Sequence, residues 1–119
     1  MIDNISILDP QVVWKHFYDI TQIPRPSGHE AKIIEHIRQF ATNQSLEHDV
    51  DEEGNILIRK KASAGKESNK GVVLQAHVDM VPQKNADKQH DFTRDPIETI
   101  IEGDWVKADN TTLGAYNCV

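Results

Sequence analysis

The sequence predicts an α/β fold, with a mixed sheet flanked by helices, and three observations carry that expectation. Residues 72–78, Val-Val-Leu-Gln-Ala-His-Val, are the near-continuous apolar run expected of a parallel strand buried on both faces. Two earlier stretches repeat apolar residues at helical spacing. Two further stretches read as hairpins, each turning at a glycine.

Taken in order, Asp9 before Pro10 reads as an N-cap and first-turn proline, and Val13, Phe17 and Ile20 follow at helical spacing. This predicts a first helix over about residues 10–22. Pro24 and Pro26 break the pattern. Ser27-Gly28-His29-Glu30 then reads as a capping box, in which serine and glutamate satisfy each other's orphan amides. The second helix is expected over about residues 28–43, its stripe of Ile33, Ile34, Ile37, Phe40 and Ala41 packed on a sheet.

From Leu46 the period changes to two. Leu46, His48 and Val50 alternate with Glu47 and Asp49, and Glu53-Gly54 turns the chain into Asn55 to Lys60. Residues 62–71, rich in Ser, Lys and Gly, form a solvated loop that need not be a domain linker, and Pro82 stops the apolar run that follows. Glu98 to Ile101, the Glu102-Gly103-Asp104 turn and Trp105 to Ala108 make a second hairpin. No internal repeat or low-complexity tract interrupts the chain.

Charge and composition exclude whole classes of function. The net charge is −6, and basic residues do not cluster beyond Arg59-Lys60-Lys61, so the footprint of a nucleic-acid binder is missing. No apolar stretch approaches the ~20 residues needed to span a bilayer. Acidic Asp3 stands where a secretory leader would be basic, so a cytoplasmic location is expected and no membrane partner. The single cysteine, Cys118, rules out an intramolecular disulfide framework and is assigned no function.

The residues that carry chemistry are His77 and Asp79, delivered at the carboxyl end of the 72–78 run, where α/β proteins place ligands. Side chains two apart on a strand share a face, so an imidazole can ligate a metal while the carboxylate orients it. A bare His-x-Asp is equally the pattern of a buried histidine capped by its neighbour. The remaining histidines, His16, His29, His36, His48 and His90, read as structural or solvated, because none has a second ligand at a metal-binding interval. Asp51-Glu52 reads as solvated charge beside a turn.

Wider strings resolve the choice. Ile23-Pro24-Arg25-Pro26-Ser27, Gly54 to Lys60, Val72 to Asn85, His90-Asp91-Phe92-Thr93, Trp105 to Ala108 and Thr111-Thr112-Leu113-Gly114-Ala115 together resemble one family. It is that of the aminoacyl-histidine dipeptidases, also called cytosol non-specific dipeptidases, within the clan of two-zinc aminopeptidases, carboxypeptidases and aminoacylases. The resemblance runs nearly end to end and implies that residues 1–119 are an incomplete, N-terminal portion of a metallopeptidase catalytic domain, with no second domain.

It further implies two zinc ions with a shared water, a glutamate base, and hydrolysis of dipeptides, including those ending in histidine. His77 matches a zinc ligand, and Asp79 the catalytic acidic residue that hydrogen-bonds it. The family motif continues Ala-Asp-Asn-Gly-Val-Gly, its Asp bridging the metals, and here Tyr116 occupies that position. A phenol of pKa near 10 with one oxygen is a poor bridge between two metals. Asp109 reads as a turn residue in preference to a stand-in ligand.

Tyr116, Cys118 and the end after Val119 are each one G-to-T change at a first codon position from the family pattern, as gene decay or a poor terminal read would leave them. The family's glutamate base, adjoining metal-binding glutamate and last ligands have no counterpart among the 119 residues. The expectation is weak or absent zinc binding and an inactive chain. The alternatives are a non-catalytic decayed fragment, or a binding module that associates with a full-length relative. Self-association is expected too, because the helices and hairpins leave one side of the 72–78 run uncovered.

Overall fold

The computed structural model describes residues 4–115, so the expectations placed on Tyr116 and Cys118 lie outside the described residues. The order of elements is a 3₁₀ turn at Ile5–Ile7, helix α1 (Gln11–Thr21), helix α2 (Ala31–Asn43), strands β1 (Glu47–Val50) and β2 (Ile56–Arg59), and strands β3 (Thr99–Glu102) and β4 (Trp105–Ala108). The α/β class holds. The ladders are two antiparallel pairs, β1 with β2 and β3 with β4, and the parallel component is a single bridge between Pro26 and Met80.

Both helices start later than their caps suggested, for a physical reason in each case. Helix α1 begins after Pro10 with no side-chain cap from Asp9, its first amides at Val13 and Trp14 bonding back to the Pro10 carbonyl. The capping box expected ahead of α2 does not form, and the Ser27 amide bonds the Met80 carbonyl. Glu30 accepts from the Gly28 amide at 2.6 Å, but the Ser27 hydroxyl has left the helix to donate to Asp79 Oδ2, also at 2.6 Å. A charged acceptor makes a stronger hydrogen bond than a backbone amide offers in return, which favours that exchange.

The core is small: Ile5, Phe17, Ile33, Ala41, Met80 and Ile97 are its buried apolar side chains among the described residues. Of the expected helical stripes, Phe17, Ile33 and Ala41 are buried, whereas Val13 and Phe40 are exposed. Phe40 instead meets the His16 ring edge-on at 5.5 Å. The end of α1 is tied to the approach of β3, where the Ile97 amide donates to the Thr21 carbonyl at 2.9 Å.

The first hairpin pairs Glu47 with Arg59 and Val50 with Ile56, and Arg59 Nη1 reaches Glu47 at 3.2 Å and Asp49 at 2.6 Å on the solvent face. Asp51 does more than carry solvated charge: it organises the turn, accepting from the Glu53 and Asn55 amides and the Asn55 side chain. Gly54 has φ +86°, and a Cβ there would stand 3.0 Å from Ile34 Cδ1, so α2 presses on the turn at a position reserved for glycine. In the second hairpin Gly103, at φ +60°, makes the turn between β3 and β4.

The largest difference from expectation is at residues 72–78. No ladder forms there among the described residues, and Val72, Val73 and Leu74 are 82%, 86% and 92% exposed. A parallel strand needs neighbours on its hydrogen-bonding edges, and β1 to β4 form two separate pairs, neither of which takes up residues 72–78. The buried parallel strand expected from the apolar composition is therefore not formed among the described residues.

Candidate metal centre

Arg25 organises the region around His77. Only 2% exposed, it donates from Nη1 to the Val78 carbonyl at 3.0 Å and from Nη2 to the Gly114 carbonyl at 2.8 Å. The flanking prolines keep residues 24–26 out of a helix, so this segment can lie beside residues 78–80. There the Met80 amide bonds the Arg25 carbonyl at 2.9 Å and the Ser27 amide the Met80 carbonyl at 3.1 Å.

One buried guanidinium thus joins three segments that are distant in sequence: 24–27, 78–80 and 111–114. Gly114 sits at φ +73°, and a Cβ on it would lie 2.8 Å from Arg25 Nη2 and 3.1 Å from Met80 Sδ. Thr112 closes the other side, donating its hydroxyl to the Val81 carbonyl at 2.6 Å and its amide to Gln83 at 2.8 Å. The Thr-Thr-Leu-Gly-Ala string is therefore fixed against the segment that carries His77 and Asp79.

His77 and Asp79 meet as the sequence required. The imidazole Nδ1 is 2.9 Å from Asp79 Oδ1 and 3.1 Å from the Asp79 carbonyl. Both neighbours are acceptors, so Nδ1 carries a proton and donates to them. The Ser27 hydroxyl takes the second carboxylate oxygen, so Asp79 is held at both ends. That bond is the main reason the Asp79 carboxyl lies below its ordinary pKa; partial burial opposes it, and the His77 hydrogen bond adds to it.

The arrangement has the chemistry of a zinc-ligating imidazole, with a carboxylate fixing its tautomer and raising its basicity. It supplies one ligand. No group of three or more His, Cys, Asp or Glu residues is placed to hold a metal among the described residues. Asp109 is engaged elsewhere, 2.9 Å from Lys88 Nζ, which also holds Glu98 at 2.9 Å. His16 and His29 are exposed, His48 bonds the Leu46 carbonyl, and His90 packs edge-on against Phe92 at 4.5 Å.

A groove of about 450 Å³ opens beside this pair, lined by Glu30 just ahead of α2, by Ile34 of α2, by Gly54 and Ile56 of the hairpin, and by Gln75 to Asp79. Two residues that shape the site were not assigned to it from sequence. Arg25 had no role, although an arginine between two prolines was a signal for extended, non-helical backbone, and Ser27 was placed in a helix cap.

No family model matches the chain. Among curated proteins it is 53% identical over 116 residues to the cytosol non-specific dipeptidase of Escherichia coli strain K12, which accounts for 98% of this chain and 24% of that protein. Its fold matches the aminoacylhistidine dipeptidase of Vibrio alginolyticus with a TM-score of 0.91 at 52% identity, covering 95% of this chain and 23% of that one. The dipeptidase resemblance holds along the chain. It extends to about a quarter of either dipeptidase's length.

Proposed function

We propose that this chain carries one arm of a two-zinc dipeptidase centre, in which His77 ligates through Nε2, Asp79 orients the ring and Ser27 holds Asp79. The observation that carries the reading is the Ser27–Asp79–His77 relay, at 2.6 Å and 2.9 Å, within a segment 53% identical to a cytosolic dipeptidase. The substrate class is dipeptides, Xaa-His among them, and the setting is cytosolic; no helix among the described residues is long and apolar enough to cross a membrane.

A zinc ion bound here would supply Lewis acidity toward the scissile carbonyl and activation of water at neutral pH. The chain's own contribution is to present one oriented nitrogen and to fix the 111–114 string beside it. Hydrolysis needs a proton acceptor and further ligands that the described residues do not group around His77. The 119-residue chain should therefore bind zinc weakly and cleave no dipeptide alone, because catalytic groups that act as a unit fail together. Tyr116→Asp should not rescue it, since one restored carboxylate leaves the other groups wanting.

The test is a zinc titration followed by the ring resonances of the six histidines. His77 should respond first, with the Nε2-ligated tautomer. Ser27→Ala should weaken that response severalfold, and His77→Ala should abolish it. A first response at another histidine, or zinc-dependent turnover that survives His77→Ala, would refute the reading.

A further inference from the structure

Residues 71–77 contain no Asp, Glu, Lys or Arg, are exposed at every position, and adopt no helix, turn or ladder. Val72, Val73 and Leu74 are the most exposed of the large apolar side chains among the described residues. An apolar run with unpaired backbone is a template for another strand.

Charge is divided between the two ends of this run. Ahead of it, residues 60–70 hold Lys60, Lys61, Lys66 and Lys70 against Glu67 alone, all of them exposed. At its far end, the groove beside residues 75–79 is lined by Glu30, Glu53 and Asp79, with no lysine or arginine among its described lining residues.

That division selects the strand that fits. A second copy laid parallel would set lysines against lysines and carboxylates against carboxylates. Laid antiparallel, each copy brings its lysine loop to the other's acidic groove, and a two-fold axis makes the contact twice. A register centred on Leu74 sets Val72 opposite Ala76, Val73 opposite Gln75, and Lys70 opposite Val78 and next to Asp79, with no like charges opposed.

We propose that residues 71–77 are a self-recognition edge, along which two copies of this chain join as an antiparallel, two-fold-symmetric strand pair steered by the lysine loop of one and the acidic groove of the other. This goes beyond the zinc reading and does not depend on it, because it rests on backbone and surface charge and not on an imidazole.

Sedimentation equilibrium and hydrogen exchange on the 119-residue chain, in zinc-free buffer, test it. As concentration rises the mass should double and stop there, and amides within 72–76 should slow at least ~10-fold relative to the dilute chain. Sodium chloride should weaken the dimer severalfold, because it screens attraction between exposed charges. A chain that stays monomeric, one that grows past two copies, or a dimer that salt strengthens would overturn the proposal.

Leu74→Lys places like charges opposite each other at the two-fold axis, so it should abolish the dimer and leave the melting of the dilute chain unchanged. Adjacent amides on a strand point to opposite edges, so at least one of Val72→Pro and Val73→Pro should do the same by removing a donor. Lys70→Glu should weaken the dimer severalfold, whereas Lys15→Glu, the same change of charge on exposed α1, should dimerise as the parent does. A dimer that survives Leu74→Lys and both prolines, or that loses as much from Lys15→Glu as from Lys70→Glu, would overturn the assignment. The zinc response of His77, read on the dilute chain, stands or falls separately.

Discussion

Residues 71–77 and 78–81 are consecutive, similar in composition and opposite in circumstance. The second stretch is held from both flanks: Val78 by Arg25, Met80 by the backbone of residues 25–27, and Val81 by Thr112. The first has no such partners among the described residues until His77 turns to Asp79, and Leu74 stands 92% exposed. The contrast teaches that an apolar strand is not secured by its own composition. What secures it is whether other segments complete its hydrogen bonds, and His77 lies at the boundary between the two conditions.

The contrast breaks most severely if the anchor is removed. Arg25→Met deletes two charge-assisted hydrogen bonds and leaves the carbonyls of Val78 and Gly114 without those donors, so a loss of about 3 kcal/mol or more is expected. Urea unfolding measures it, and the zinc response of His77 should broaden in parallel because Asp79 loses its frame. A stability change below about 1 kcal/mol would show that the three segments are joined by something other than this guanidinium.

Gly114→Ala attacks the same anchor from the other side. Its φ of +73° and the 2.8 Å approach to Arg25 Nη2 make any side chain strained and crowded, and a loss of about 2 kcal/mol is expected. The same substitution at Gly28, also at positive φ but with nothing within 4 Å, should show the backbone strain alone and so be smaller. Equal losses at the two glycines would mean that the close approach contributes nothing.

Acid sharpens the comparison by acting on carboxylates, which residues 71–77 lack. Glu35 is lowered to about 2, chiefly by its hydrogen bond from Arg38; Asp51 is lowered by Asn55 and Asp109 by Lys88. Each folded-state pKa lies below the unfolded one. Their stabilisation is therefore complete above the ordinary carboxylate range and is lost as pH falls through that range toward 2. These are exposed pairs, so the effect should be modest and should shrink in high salt. Urea midpoints at pH 7, 4 and 2.5, each with and without salt, measure it, and Glu35→Gln should flatten the curve. Stability that rises on acidification would reverse the assigned sign.

The smallest effect is expected in the open half. Leu74→Ser should change stability by no more than about 0.5 kcal/mol, because the side chain is in solvent before and after unfolding. It should nonetheless reduce self-association and hydrophobic-dye binding, which respond to exposed apolar surface and not to burial. A loss of 2 kcal/mol would mean that Leu74 is covered in solution.

The helices and hairpins were legible because their signals are local. Apolar period near 3.6 gave α1 and α2 to within a few residues, and Glu53-Gly54 and Glu102-Gly103-Asp104 marked turns that only a short reach of chain is needed to form. His77 and Asp79 were legible for the same reason, since two residues on one backbone meet without help from elsewhere. What periodicity and spacing determined, then, is the class of each element and the chemistry of the pair; the matched strings contributed the dipeptidase kinship.

The tertiary structure alone decided which polar groups those elements would satisfy. Ser27, read locally as a helix cap, took Asp79 instead, a choice set by a contact 52 residues away. Arg25 acquired its role from carbonyls 53 and 89 residues distant, and residues 72–78 joined neither of the two strand pairs. Such outcomes depend on long-range closure, where each hydrogen bond is worth making only against the alternatives present at the same place, and a sequence read along its length does not contain that competition.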